Sequence, residues 1–422
     1  MHKTRWWCCT GAGVLVWVSG EAVLAAAGPA MRGVVPANWP ADTPAPVVVP
    51  APSQLKADQP LEVLLQIEGT SEPKRLAAQY EPADAPSGMP ARVWFMWSGQ
   101  TGDRGKAVTL RFEPGPRGPR PSAYRSRQAD PQLQVATAEG QPVLSYWYGQ
   151  PERGQKYPLN DFIHPVVGLD GEILTVVRPA DEIHQRGLFW AWVRHERKGQ
   201  PIGEWWVPMN IHAEPGEVGF TDGPLFARFA ARHWWVHQPP ETGQGERFVD
   251  EYVVCRTFQT AAHGRAIDID LTLTALDDGV RIGGQTAKDK GYGGLAMRFG
   301  KAAQVKIEAD TREVQMPDMN HLRARWVDWT GVFDGPGGKP LTRRSGTAIF
   351  AHPTHPDQPP EWVTRTYGMI NVSYPGLNML ALPKGKPLYL RYRVWVHRGS
   401  ATEAKVGDQY QAYAADWKWT PD

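Results

Sequence analysis

Cysteine is nearly missing from this chain: Cys8, Cys9 and Cys255 are the only three in 422 residues. Once the first 27 residues are removed, as argued below, Cys255 stands alone. That excludes an intramolecular disulfide and leaves packing to hold the fold. Long hydrophobic runs are also lacking. No apolar stretch approaches the roughly 20 residues that a spanning helix needs. An excess of one charge is absent too, because 46 Lys and Arg face 44 Asp and Glu for a formal net charge of +2. No basic patch has its own composition, which argues against nucleic acid as a partner. Helical periodicity never persists beyond about two turns.

What is present is alternation. Val93, Phe95 and Trp97 alternate with Arg92, Trp94 and Met96. Ile267, Ile269, Leu271 and Leu273 alternate with Asp268, Asp270, Thr272 and Thr274, and Leu390, Tyr392, Val394 and Val396 with Arg391, Arg393, Trp395 and His397. Period two is the mark of half-buried strands. The 43 Gly and 39 Pro supply turns such as Asp170-Gly171 and Asp278-Gly279. The expected fold is all-β, a large two-sheet sandwich with a small β unit before it. Residues 1–27 read as a signal peptide, with Lys3 and Arg5 ahead of the short apolar run Gly11 to Val18 and small residues up to Ala27. The Pro/Ala/Val-rich segment 28–56 reads as an extended linker without a core. Residues 57–115 then form the small β unit, and 116–422 the sandwich. Export to the periplasm or outside the cell follows from the signal peptide.

The chemistry concentrates between His164 and Trp192, in HPVVGLDGEILTVVRPADEIHQRGLFWAW. His164 and His184 are candidate acid–base groups, the latter close to Asp181. Arg186 can hold a carboxylate or stabilise developing negative charge. Trp190 and Trp192 are candidate stacking platforms for the C–H face of a sugar, in a chain with 19 Trp. Glu251, on DEYVVCRTF, is a second candidate acid or base. Tyr292, in a Gly-rich turn, can cap a ligand, and Arg298 follows on the next strand. Asp268 and Asp270 share the face away from the core, as do Arg391 and Arg393; that face is either solvated or a concave binding surface. Cys255 sits between apolar neighbours and reads as core. No cofactor is required by these residues. His164, His184 and a carboxylate could form an open divalent-metal site, although no tight spacing enforces it.

Several segments together resemble one bacterial family. They are SYWYG (145–149), HPVVGLDGEILT (164–175), PADEIHQRGLFWAW (179–192), GYGGLAMRF (291–299), RWVDWTG (325–331), AHP (351–353), WVTRTYGMINVSYP (362–375) and LRYRVWVHRG (390–399). In this order they resemble the DUF6807 family, often labelled PmoA or "methane oxygenase". The resemblance implies a β-supersandwich related to sugar mutarotases and carbohydrate lyases. It also implies site roles for His352 and Arg365, which lie in two of the shared segments. The family typically has PADHPHHRGL where this chain has PADEIHQRGL, so Glu182 and Gln185 stand in place of histidines, against a three-histidine metal site. The oxygenase label finds no support: a membrane monooxygenase subunit needs several spanning helices, and no histidine lies between Gly28 and His164.

The functional expectation is an exported enzyme acting on a glycoside or oligosaccharide by His/Arg-centred acid–base chemistry, as a hydrolase or lyase. Keto-sugar glycosides suit that chemistry. Two alternatives stay open, a non-catalytic carbohydrate-binding protein and a mutarotase-like epimerase.

Overall fold

The chain was analysed as a computed structural model. It describes residues 28–422 apart from 57–59, 116–120, 152–153, 311 and 314–317. Residues 1–27, expected to be a signal peptide, lie outside the described residues. The all-β expectation holds: two nine-stranded antiparallel sheets form the body. The first runs, edge to edge, Ile211–Asp222, Phe226–His237, Glu246–Phe258, Gly264–Ala275, Pro387–Arg398, Ser345–Ala351, Trp326–Val332, Ala303–Ala309 and Arg312–Glu313. The second runs Asp318–Arg323, Glu361–Arg365, Met369–Ser373, Gly293–Arg298, Leu188–Trp192, Phe162–Val166, Pro142–Trp147, Gln132–Thr137 and Tyr124–Ala129.

The sheets meet through large rings. Phe299 stacks on Trp329 with centroids 4.2 Å apart, Tyr146 on Phe229 at 4.6 Å, and Trp192 lies 5.4 Å from Trp235. Each pair takes one ring from each sheet, and offset aromatic contacts of this kind add to plain area burial. Ile267, Ile269, Leu271 and Leu273 point into the same core, as the alternation requires.

A third sheet, of seven strands, covers the outer face of the first. Its order is Ala45–Pro50, Arg92–Trp97, Lys74–Glu81, Leu61–Ile67, Ala107–Pro114, Ala30–Val34 and Trp419–Pro421. Two boundaries therefore move. Segment 28–56 is not a linker, because it contributes two strands and buries Val35, Trp39, Val47 and Val49. The run PVVVP makes this feasible: valines favour strands, and the prolines fall on an edge strand, where a missing N–H costs no ladder bond. The last strand, Trp419–Pro421, also belongs to this sheet, where Met31 pairs with Pro421, so the sandwich does not run to residue 422. The helix Val406–Tyr413 precedes it and is tied to the same unit by Gln409 Nε2 donating to the Pro44 carbonyl at 3.1 Å.

The face carrying Asp268 and Asp270 is thus covered by the third sheet, and both residues line a small cavity of about 120 Å³ left between the two sheets. Asp268 accepts two bonds from Arg393, at 2.5 and 2.8 Å, and Asp270 accepts from Arg256 at 2.6 Å. Glu81 accepts from Arg228 and Arg256 across the interface, and from Arg92 and the Trp94 indole of its own sheet.

The fourth sheet is small: Gln200–Gly203, Arg194–Arg197, Val280–Gly283 and Met379–Leu382. Its strands lead directly into two loops of the site.

Candidate functional site

Along Leu188–Trp192 the side chains alternate between two environments. Trp190 and Trp192 point into the sandwich, where Trp190 Nε1 donates to Glu251 at 2.6 Å and Trp192 Nε1 to the Tyr374 carbonyl at 2.8 Å. Phe189 points the other way and meets Trp206 at 5.0 Å. On that outer face lies a cleft of about 450 Å³. One wall is the turn Pro179–Gln185, closed by Gln185 N donating to Glu182 O at 2.8 Å. A second is the Glu204–Met209 loop, held by reciprocal 2.9 Å backbone bonds between its end residues. The third is the Gln285–Tyr292 loop, and the fourth is formed by Asp318, Asn320, Arg365 and Tyr367.

Glu204 is the most perturbed carboxyl of this cleft. Burial pushes its pKa up to about 7, opposed only by the Val207 amide, which donates to Oε1 at 3.2 Å. Among the described residues no arginine or lysine forms an ion pair with it. A carboxyl that is half protonated at neutral pH can both give and take a proton. Beside it Trp206 stacks on Tyr292, centroids 5.4 Å apart and planes 21° from parallel. Arg365 sits 5.3 Å above the Tyr292 ring and Lys290 5.6 Å from it. Asn320 fixes Arg365 by accepting from Nη2 at 2.7 Å, and the Met319 and Thr364 carbonyls accept from Nη1.

His184 lines the same cleft, edge-on to Tyr157. Burial, with Arg186 and Arg298 nearby, lowers its pKa to about 4, so it is a neutral imidazole at pH 7. Arg186 is fully buried directly behind the cleft, clamped between Phe189 at 4.8 Å and Trp205 at 4.7 Å. Its Nη1 reaches the Trp206 and His184 carbonyls at 3.4 and 3.5 Å, so it ties two walls together without touching the cleft space. Gly187 makes this possible. It has φ of +44°, and a Cβ there would come 2.2 Å from the Ile163 carbonyl oxygen. Arg298 flanks the cleft, with Nη2 bonded to both Asp181 oxygens at 2.8 and 2.7 Å and its guanidinium 4.5 Å from Tyr367.

The remaining expected residues lie elsewhere. Trp190 and Trp192 are 0% exposed and offer no platform; on a strand flanked by sheet partners on both sides, they pack the core. Glu251 is fully buried between the sheets, both carboxyl oxygens accepting indole N–H bonds from Trp190 and Trp235 at 2.6 Å. Burial and neighbouring Asp161 push its pKa well up. It does not line the cleft. His164 shares the outer face but does not line the cleft; its Nδ1 is 2.9 Å from the Thr175 hydroxyl. His352 lines a separate 120 Å³ cavity beneath the N-terminal sheet, edge-on to Tyr413. His164 and His184 do not gather with a carboxylate into a metal-ligating group among the described residues. Sequence reasoning missed Glu204, Trp206, Asp318 and Asn320. The one available signal was Glu204 beside the Trp205/Trp206 pair.

An all-β two-sheet sandwich with a polar, aromatic-walled cleft on one outer face is the class of protein defined here. The chain belongs to the DUF6807 family, described as a family of unknown function, whose profile matches residues 134–411. The match takes in nearly all of both nine-stranded sheets and every wall of the cleft, and leaves out the whole N-terminal sheet. No curated protein matches the chain.

Proposed function

We propose that the cleft binds a carbohydrate and transforms it by acid–base chemistry, as a glycoside hydrolase or lyase. The observation that supports this most is Glu204, a carboxyl with a pKa of about 7 in an open polar cleft. In this reading Glu204 transfers the proton, to a leaving oxygen or from a carbon next to a carbonyl. Neutral His184 accepts a hydrogen bond or a proton from a substrate hydroxyl. Arg365 and Lys290 pair with acidic or hydroxyl groups, and the Trp206/Tyr292 edge covers an apolar sugar face. Export belongs to the same proposal and rests on the segment from Lys3 to Ala27. The reading moves the acid–base role from Glu251 to Glu204 and keeps His184.

Glu204→Gln tests it. Against a panel of oligosaccharides the variant is expected to lose roughly 10²–10⁴-fold in kcat, the range for a general acid or base, with KM within a few-fold. Wild-type protein that binds glycans but turns none over would leave a carbohydrate-binding protein instead of an enzyme.

A further inference from the structure

Between the sheets, behind Arg186, lies a fully buried set of polar groups that the cleft chemistry does not use. Asp161, His233 and Glu251 are each 0% exposed, and one ligand-type atom from each lies within 4.8 Å of the other two. The cluster has more acceptors than donors. His233 Nε2 is 3.0 Å from the Tyr148 carbonyl oxygen, which can only accept. Nε2 therefore carries the hydrogen, and in neutral imidazole Nδ1 is a bare lone pair. That lone pair faces Asp161 Oδ1 at 3.6 Å and the Tyr146 hydroxyl at 3.4 Å. The hydroxyl is committed, donating to Asp161 Oδ1 at 2.7 Å. Asp161 Oδ2 has no donor at all. Arg186 supplies positive charge near Asp161 and Glu251 but donates to neither, since its hydrogen bonds go to the Trp206 and His184 carbonyls.

Bare acceptors facing one another in an apolar interior are satisfied either by a proton shared between the carboxyls or by a metal ion among them. We propose that Asp161, His233 and Glu251, with Tyr146 as a fourth donor, form a divalent transition-metal site of the Zn²⁺ class. One imidazole nitrogen with carboxylate and phenol oxygens is a borderline donor set suited to such an ion. Ligands about 2.1 Å from one tetrahedral ion lie about 3.4 Å apart, so atoms that now lie within 4.8 Å of one another draw together by up to about 1.4 Å when the ion binds. The Nε2–H···O=C bond to Tyr148 is the outer contact that fixes a metal-binding histidine's tautomer. Four protein donors leave no open position, which marks a structural ion. Tyr146 and Asp161 belong to one sheet and its leading loop, His233 and Glu251 to the facing sheet, so the ion staples the sandwich.

The test uses the full chain, stripped with chelator and then exposed to Zn²⁺, Mn²⁺ or Fe²⁺ before gel filtration and elemental analysis. About one equivalent of one of these ions per chain is expected, with a rise in Tm of ~5 °C over stripped protein. His233→Gln and Asp161→Asn lose the ion, and Glu204→Gln keeps it. Substoichiometric metal on folded wild-type protein, or equal retention by both ligand variants, overturns the proposal and leaves a carboxyl pair sharing a proton.

Discussion

The two outer faces of the sandwich carry similar residues with opposite consequences. Beneath the N-terminal sheet, Glu81 is buried, and burial alone would raise its pKa. Arg256 and Arg92 outweigh that and hold it at about 2. On the other face Glu204 is also partly buried, lacks such partners, and rises to about 7. The same kind of side chain is a structural anion on one face and a proton carrier on the other. Charge density therefore does not mark the site; the missing counter-charge does.

The largest expected effect comes from breaking the paired face. Arg256→Ala leaves Glu81 and Asp270 facing fewer cations in the interior, and should destabilise the protein by about 3–5 kcal/mol in urea unfolding. A loss below about 1 kcal/mol would mean that water already screens this interface. A smaller effect sharpens the unpaired face. Glu204 keeps its proton in the folded state at pH values where the unfolded chain, with the ordinary glutamate value of 4.5, has lost it. Its contribution to stability is therefore undiminished below pH 4.5, falls as pH rises to about 7, and is flat above that. Glu204→Gln should remove this slope, so that the stability of the variant relative to wild type increases between pH 4.5 and 7. His184, with its pKa lowered to about 4 by burial, has the opposite sign, with stability rising from pH 4 to 6.5 in both proteins. The smallest effect is the control. Arg247 and Glu214 form an ion pair at 2.6 Å whose side chains are 45% and 44% exposed; Arg247→Ala should shift the urea unfolding midpoint least of these variants.

How far the sequence reached depends on which physical quantity each reading needed. Alternation alone places Ile267 to Leu273 in the core and Asp268 with Asp270 on the opposite face, because period two is local. The same rule puts Trp190 and Trp192 on one face with Leu188, which marks them as core; counting tryptophans hid this. Around Val47 proline content points to a linker, yet the prolines fall on an edge strand, where they cost no ladder bond. His352 and Arg365 entered together through shared segments, yet only Arg365 lines the cleft, since shared segments do not say which side chains converge. Glu204 was invisible for a different reason. Its pKa comes from burial by loops distant in sequence, and no local pattern encodes that.

The central claim is that Glu204 titrates near neutrality, and it can be tested without knowing the substrate. Side-chain ¹³C NMR of glutamate-labelled protein, with Glu204→Gln used to assign the signal, reads its titration directly. A midpoint close to pH 7 is the expected result. A midpoint near 4.5 would show an ordinary solvated carboxylate and would contradict the account of the cleft.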